Sequence, residues 1–318
     1  PDAHSFPDAF MLAGYLLNAA PGMGAVISTD AVRRGPAELV QSMLTLGELT
    51  EGRAIVQVGA GEAKQCTPFG WKRGQGLGRL EDLFNIVRLL YEAEEPVDYA
   101  GIHTTFRNAS VGDTRTRRPQ LWALGGGPRL LDLATTHADG MAYLAPQAWD
   151  TPERAATEIG RLKEQLERKG RDPDAFHFGI WVSAVLHEDP DVIERALANP
   201  LMRWMAAVFG RVNLGDWAAL GVESALPVDY HYAMNLLPLE VGADEAERVV
   251  ARVSSRQQRL SWMHGDPRAV GARLAEFADA GVTWFMIADV LPMTFPPDDP
   301  ALALGRTLQV CSALKARP

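Results

Sequence analysis

The feature that most constrains this chain is a repeated order of short apolar segments and longer amphipathic ones. The short segments carry β-branched residues and end at glycine or polar turns, which is typical of strands. An alternation of strands and helices implies parallel strands joined by helical crossovers. The predicted strands are Met23–Thr29, Ala54–Val58, Leu121–Leu124, Gly140–Leu144, Phe176–Leu186 and Val282–Ala288.

Helical patterns lie between and around these strands. Proline in the first turn and apolar residues at helical spacing mark several of them, and Thr151 is a candidate N-cap. A small hairpin is predicted at Val97–Phe106. The predicted helices are Pro7–Ala20, Pro36–Leu49, Leu77–Tyr91, Pro128–His137, Thr151–Lys169, Asp266–Ala280 and Pro300–Lys315.

This order predicts an α/β fold of the (β/α)8 TIM-barrel type, formed by one domain over residues 1–318. A closed barrel takes about eight strands, and only six are visible. The N-terminal strand–helix–strand of such a barrel is therefore expected to be absent from this sequence. An open, doubly wound parallel sheet is the structural alternative that the same pattern allows.

The repeat is interrupted between residues 189 and 261, a stretch too long for an ordinary connection. We interpret it as a helical insertion over the face where the active sites of barrels lie. Trp204, Tyr230 and His231 are candidate substrate-binding residues, although a packing tryptophan and a surface histidine are common alternatives. Helices are predicted at Asp191–Ala198, Leu201–Phe209 and Ala243–Leu260, with a polar-aromatic loop at Val228–Asn235.

Composition excludes several classes of protein. The formal net charge of −9 argues against a general nucleic-acid binder and against a basic membrane-surface protein. No run approaches the ~18 apolar residues of a membrane span, so the cytoplasm is the expected location. Cys66 and Cys311 are far apart and lie in no metal-binding motif, so free thiols and no metal site are expected.

Two glycine-rich turns follow predicted strands. After Ala54–Val58, Gly61 and Glu62 place a carboxylate where a barrel binds its ligand, and a solvated turn is the alternative. After Leu121–Leu124, three glycines precede a helix, and free backbone N–H groups there would suit an anion. Arg129 could add a charge-assisted contact to phosphate, while a tight strand–helix turn is the alternative. The three glycines are Gly125, Gly126 and Gly127.

Four segments of the chain resemble those of a known family. Gly24–Thr29, Arg33–Ala37, Gly52–Ala63 and, more loosely, Thr136–Gly140 are similar to the luciferase-like monooxygenase superfamily, especially its F420-dependent branch. The resemblance extends from about residue 7 to the C-terminus and is weakest across the insertion. It implies a barrel with a deazaflavin or flavin cofactor at the carboxyl ends of the strands.

The resemblance also implies roles for residues. A non-proline cis peptide or bulge, against which the ring bends, would fall at Val26–Ile27, beside Ser28. Gly61 and Glu62 would lie near the ring, Glu62 as the candidate catalytic group. The family's acid/base histidine would lie in the absent N-terminal segment. The loop at the phosphate of the cofactor would comprise Gly125, Gly126, Gly127 and Arg129.

The expected activity is hydride transfer between F420 and a carbonyl or C=C bond of a small, fairly apolar substrate, by a homodimer. An FMN-dependent monooxygenase and a non-catalytic deazaflavin-binding barrel are alternatives on the same fold. A sugar-phosphate barrel enzyme that uses the triple-glycine loop for its substrate is a more distant alternative.

Overall fold

The computed structural model describes residues 8–112, 118–294 and 300–316, and it divides the chain into two compact units. The first unit comprises the described residues of Pro1–Ala142 and Leu162–His177, and the second comprises those of Tyr143–Arg161 and Phe178–Pro318. Each unit is described separately below. The single domain expected from the sequence stays a prediction.

The elements of the first half of the chain follow the predicted order closely. The predicted first residue of the first helix, Pro7, lies outside the described residues. Asp8 caps that helix, because its carboxylate accepts hydrogen bonds from the Phe10 and Met11 amides. The elements are α1 (Ala9–Ala19), β1 (Ala25–Asp30), α2 (Pro36–Thr50), β2 (Ala54–Gly59), α3 (Ala63–Cys66), α4 (Gly76–Glu92), β3 (Val97–Ala100), β4 (Thr105–Ala109), β5 (Gln120–Leu124), α5 (Pro128–His137) and β6 (Gly140–Ala145).

The second half contains the predicted strands and one that the sequence did not indicate. Thr151 caps the first helix of this half, as expected, because its hydroxyl accepts a 3.2 Å hydrogen bond from the Arg154 amide. The elements are α6 (Pro152–Arg168), β7 (His177–Leu186), α7 (Pro190–Ala198), α8 (Pro200–Phe209), α9 (Asp216–Ala219), α10 (Tyr232–Asn235), α11 (Ala243–Arg252), α12 (Ser255–Ser261), β8 (Met263–Gly265), α13 (Pro267–Asp279), β9 (Trp284–Asp289) and α14 (Pro300–Lys315).

In the first unit, strands β1, β2, β5 and the beginning of β6 pair in parallel. The β1–β2 register is continuous from Ala25↔Ala54 to Asp30↔Gly59. Every residue of β2 is buried, as expected for a parallel strand that is covered on both faces. The parallel α/β class predicted from the sequence is confirmed for these strands.

A buried carboxylate holds the hairpin of β3 and β4. The side chain of Asp82, on α4, is almost completely buried. It accepts a hydrogen bond from the Tyr99 hydroxyl (3.0 Å) and one from each of the Ile102, His103 and Thr104 amides (2.8, 2.6 and 3.0 Å). Burial, together with Asp82, raises the pKa of Tyr99 to about 12, so this hydroxyl keeps the proton that it donates.

In the second unit, β7 pairs in parallel with both β8 and β9. The sequence analysis missed β8, because three residues that include a histidine and a glycine have no detectable strand periodicity. The predicted helix Ala243–Leu260 is wrong in one respect: it is two helices. Val253 leaves the helical conformation, and the Ser254 hydroxyl caps α12 by accepting a hydrogen bond from the Gln257 amide (3.0 Å).

The insertion also departs from the prediction at Val228–Asn235, where part of the expected loop is the short helix α10. The His231 ring caps this helix, since its Nδ1 accepts a hydrogen bond from the Ala233 amide (3.3 Å). Two of the apolar clusters of the insertion are formed by residues 206–253 and 214–260. Helices α7 and α8 agree with the sequence prediction, whereas the short helix α9 was not predicted.

Arg211 connects three segments of the second unit. Its side chain is 1% exposed, and its guanidinium lies 4.4 Å from the centre of the Trp217 ring. Nη1 donates to the carbonyls of Gly210 (2.8 Å) and Leu260 (2.7 Å), and Nη2 lies 3.7 Å from an Asp150 carboxylate oxygen. Burial lowers the pKa of Arg211, and Asp150 opposes that effect.

No helix among the described residues combines the length and the apolar character that crossing a bilayer requires.

We expect the substitution Asp82→Asn to lower the free energy of unfolding by about 2–3 kcal/mol. The amide keeps the shape of the side chain but presents N–H groups to backbone donors that would lose their acceptor. The measurement is chemical denaturation followed by circular dichroism. Asp98→Asn on the same hairpin is the control, because Asp98 is exposed and accepts one hydrogen bond among the described residues, from the Asn108 amide. Equal stability of D82N and the parent protein would contradict the anchoring role.

Candidate functional site

The candidate site lies where the strands of the first unit end. Since β1, β2 and β5 are parallel neighbours, the segments that follow them emerge at one edge of the sheet. A Cβ atom on Gly59 would lie 3.3 Å from the Leu124 carbonyl oxygen, which shows how closely the ends of β2 and β5 approach. The two glycine turns singled out in the sequence therefore meet at this edge.

The first turn needs glycine at position 61. Gly61 has φ +83°, which side-chain-bearing residues rarely adopt. A Cβ there would also lie 3.1 Å from the Cys66 sulfur, 3.2 Å from Val32 Cγ2 and 3.4 Å from a carboxylate oxygen of Asp30. The chain after β1 and the helix α3 thus close tightly around this residue.

Glu62 follows directly and is half-buried. Its carboxylate forms an ion pair with Lys64, with 2.6 Å between Oε2 and Nζ, and the two side chains are 25% and 27% exposed. The Glu62 carbonyl accepts the amides of Gln65 and Cys66 at 3.0 Å, which begins α3. The sequence analysis selected Glu62 but did not identify Lys64 as its partner.

Asp30 was also missed, and it organises the turn after β1. Its nearly buried carboxylate accepts hydrogen bonds from the Val32 and Arg33 amides, both at 2.9 Å, and from Arg33 Nε. The available sequence signal was an aspartate at the end of a strand, which often bonds to the amide two residues on. The Cys66 thiol is fully buried, and burial, assisted by the charge of Asp30, raises its pKa.

The second turn, after β5, is open to a ligand. Gly125 has φ +130°, and its amide donates to the Ala142 carbonyl at 3.1 Å. Gly127 is the N-cap of α5 and supplies no side-chain oxygen to the first-turn N–H groups. Apart from Gly127 and its two chain neighbours, no described residue has an atom within 4 Å of the position that a Cβ on Gly127 would take. Gly126 lies between these two glycines. The open turn and the uncapped N–H groups fit a phosphate group at the helix N-terminus.

Arg129 lies in the first turn of the same helix, but it already has a partner. Its Nη2 lies 2.9 Å from a carboxylate oxygen of Glu81 on α4, and its side chain is exposed. The contact between Arg129 and a phosphate stays a prediction, and it would compete with this ion pair.

One expectation at β1 is wrong. Among the described residues, the one cis peptide bond precedes a proline, at Ala145–Pro146. Val26 and Ile27 instead pair with Ile55 and Val56 in an uninterrupted parallel register. Extended residues with trans peptide bonds form such a ladder, and it contains no bulge. The Ser28 hydroxyl donates to the buried Gln57 side chain at 3.1 Å. The contact of Val26, Ile27 and Ser28 with a cofactor stays a prediction.

The three proposed substrate residues lie in the second unit. Trp204 packs against the cluster that contains Ala206 and Val249. Tyr230 packs against the cluster that contains Trp217, and burial raises its pKa to about 12. The His231 ring stacks on Tyr232, with ring centres 5.5 Å apart. All three have packing or capping roles, and their contact with a substrate stays a prediction.

The first-unit edge thus combines an open helix N-terminus, two glycine turns and a carboxylate–ammonium pair. Such an edge can hold an anionic cofactor by backbone N–H groups and place polar side chains beside its ring. Within residues 8–112, 118–294 and 300–316, no group of three or more histidine, cysteine, aspartate or glutamate side chains is arranged to hold a metal ion.

The chain is similar to known proteins over most of its length. The chain is 26% identical over 262 residues to the phthiodiolone/phenolphthiodiolone dimycocerosates ketoreductase of Mycobacterium kansasii, covering 81% of this chain and 70% of that protein. It is 27% identical over 264 residues to the F420-dependent glucose-6-phosphate dehydrogenase of Kineococcus radiotolerans, covering 82% and 70%.

Among solved structures, an F420-dependent secondary alcohol dehydrogenase in complex with an F420–acetone adduct matches with a TM-score of 0.65 at 20% identity. The match covers 91% of this chain and 84% of that one, and it confirms the predicted fold class. The model of the luciferase-like monooxygenase family matches residues 1–283. The chain belongs to the luciferase-like monooxygenase family.

Proposed function

We propose that the protein is an F420-dependent oxidoreductase that reduces or forms a carbonyl or C=C bond in a small organic substrate. The observation that carries this proposal is the arrangement at the first-unit edge, where the open N-terminus of α5 and the Gly61–Glu62 turn lie at neighbouring strand ends. The 27% identity to an F420-dependent dehydrogenase supports the choice of cofactor. When bound, the deazaflavin would supply the hydride acceptor or donor.

The residues of this chain would do the remaining work. The amides of the first turn of α5 would bind the phosphate of the cofactor, with Gly125, Gly126 and Gly127 giving the backbone its close approach. Glu62 would present its carboxylate to a polar edge of the ring. The segment of β1 that comprises Val26, Ile27 and Ser28 would lie beside the ring.

The substrate would be fairly apolar. Within the second unit, Phe209 forms edge-to-face contacts with Tyr232 and with Trp262, at centre-to-centre distances of 5.6 and 6.3 Å. The contact with Trp262 belongs to a buried cluster, so the apolar character of the substrate is inferred from the leucine, methionine, tryptophan and tyrosine content of residues 189–261. We propose that Trp204, Tyr230 and His231 contribute to substrate binding.

An FMN-dependent monooxygenase is the second candidate, because the matching family is named for monooxygenases. It would occupy the same edge of the first unit but would consume O₂. The two candidates therefore differ in the cofactor that is bound and in the need for oxygen.

The first prediction of this proposal concerns cofactor choice. Titration of the protein with F420 and, separately, with FMN should show saturable F420 binding at least 10-fold tighter than FMN binding, by fluorescence and absorbance. A screen of ketones with reduced F420 under nitrogen, beginning with acetone and cyclohexanone, should then show oxidation of the reduced cofactor. Preferential FMN binding with oxygen consumption would favour the monooxygenase instead.

The second prediction concerns the glycine at the N-cap of α5. Gly127→Asp should weaken F420 binding at least 10-fold, because the new carboxylate would bond to the first-turn N–H groups and repel a phosphate. The same change should not destabilise the fold, since the position is open and aspartate is a favourable N-cap. Gly127→Ser is the matched control: it caps the helix without adding charge. Unchanged F420 affinity in G127D would place the phosphate elsewhere.

The third prediction concerns assembly. The resemblance implies a homodimer, and we propose that state for this chain. Sedimentation velocity at micromolar concentration should give a species near twice the 34.7 kDa chain mass. A single species at the chain mass over the same range would contradict the dimer.

A further inference from the structure

The segment after β2 has the opposite charge to the chain as a whole. The formal net charge of the chain is −9, yet residues 63–80 include no acidic residue. Their basic residues are Lys64, Lys72, Arg73 and Arg79. Because Lys64 is balanced by its ion pair with Glu62, the positive charge is concentrated in residues 72–79. Such a local surface attracts anions even on an acidic protein.

The loop that connects β2 to α4 stays at the carboxyl end of β2. A Cβ on Gly76, the first residue of α4, would lie 1.9 Å from the Ala60 carbonyl oxygen, so the two ends of the loop are in contact. Between them, Cys66 is fully buried, and its carbonyl accepts the Trp71 amide at 3.0 Å. Compact surface loops with adjoining ends are frequently functional. This loop therefore remains at the edge proposed above for the cofactor.

The loop presents two large aromatic side chains to solvent. Phe69 is 59% exposed and Trp71 is 41% exposed. Their ring centres lie 5.2 Å apart, with 32° between the ring planes. An isolated exposed aromatic residue is common, but two adjacent ones beside a candidate site offer a continuous apolar surface. A flat apolar ligand that covers this surface would remove it from water, which is favourable.

Two cations flank this aromatic pair along the chain. Lys72 follows it directly and is exposed. Arg79, near the start of α4, donates from Nε and Nη2 to the Gln75 carboxamide oxygen, at 3.1 and 3.0 Å. Because a carboxamide is neutral, this contact orients the guanidinium without compensating its charge. The first acidic residue after the loop, Glu81, pairs with Arg129. Ammonium and guanidinium groups both bind carboxylate and phosphate oxygens.

We propose that this loop binds the substrate and that the substrate is a ketone with a flat apolar body and an anionic group. This inference rests on the proposed function and narrows its substrate class. Trp71, supported by Phe69, would cover the apolar body. Lys72 and Arg79 would attract the anionic group, which is a carboxylate or a phosphate.

Three matched ketones test the anionic group. Acetophenone, 4-acetylbenzoate and 4-acetylphenyl phosphate share a ring and a carbonyl and differ only at the far end of the ring. With reduced F420, the parent protein should show a kcat/KM at least about 5-fold higher for one of the anions than for acetophenone, and this preference should fall below about 2-fold in about 0.5 M NaCl. The faster of the two anions distinguishes a carboxylate from a phosphate. Equal or faster reduction of acetophenone would overturn the proposal.

Charge reversal tests the two cations. Lys72→Glu and Arg79→Glu should each lower the kcat/KM ratio of the preferred anion to acetophenone by at least about 3-fold, mainly through KM. Because both ketones are measured on the same variant, a general loss of activity cancels in this ratio. Lys163→Glu is the matched control, since it makes the same change of charge at an exposed lysine on α6. A ratio that stays at the parent value in both loop variants would contradict the assignment.

Trp71→Ala tests the aromatic surface. It should raise KM for acetophenone and for the preferred anion by about 3–10-fold, while KM for acetone, which has no ring, changes by less than about 2-fold. Trp71→Phe supplies another ring and should recover most of the loss. If W71A raises KM for acetone as much as for the aryl ketones, Trp71 only supports the structure of the site and the proposal is overturned.

Photolabelling provides a readout that does not depend on turnover. The probe is 4-benzoylbenzoate, an aryl ketone with a carboxylate that attaches to nearby C–H bonds on irradiation. In the cofactor-free protein it should label residues 67–75, as mapped by mass spectrometry of proteolytic peptides. An excess of 4-acetylbenzoate should reduce this labelling more than an equal concentration of acetophenone does. Labelling confined to other segments would place the ligand elsewhere and overturn the proposal.

The outcomes distinguish this inference from the proposed function. If the parent protein reduces ketones with F420 but shows no preference for an anionic ketone, only the substrate assignment fails. If the parent protein does not bind F420, or binds it and reduces no ketone in the panel, the proposed carbonyl reduction fails and the substrate assignment fails with it.

Discussion

The parallel hydrogen bonding of β1, β2 and β5 is the constraint on which the candidate site depends. Because the three strands run in the same direction, the chain leaves each of them at one edge of the sheet. Gly61 in one turn and Gly125 in another then allow the backbone to bend sharply at that edge, with φ values of +83° and +130°. The position of Glu62 and the exposure of the α5 N-terminus follow from this arrangement.

Charge at this edge is arranged in pairs. Glu62 pairs with Lys64, Asp30 with Arg33, and Arg129 with Glu81. A partly buried ion pair has a modest effect on stability but fixes the orientation of its members. The backbone N–H groups of α5 are the contrasting case, since the N-cap Gly127 supplies no side chain to bond to them. This contrast favours the binding of an anion at the helix and of a polar, neutral group at the carboxylate–ammonium pair.

The second unit has a different organisation, with several polar side chains buried among its helices. Arg211 bonds to two backbone carbonyls and stacks on Trp217, which ties α8, α9 and α12 together. Trp204 and Tyr230 pack in apolar clusters of this unit. An effect of substituting either of them on substrate choice would therefore have to be separated from an effect on folding.

The sequence by itself determined the α/β class, most element boundaries, the two glycine turns and the selection of Glu62, because periodicity and turn residues are local properties. Strand β8 was too short to show a period, and the break between α11 and α12 depends on a serine cap that competes with helix continuation. The partnership of Arg129 with Glu81 and the enclosure of Gly61 join residues distant along the chain. Lys64 is only two residues from Glu62, yet its contact depends on the turn into α3. Only the tertiary structure decides these contacts, because they depend on which segments the sheet brings together.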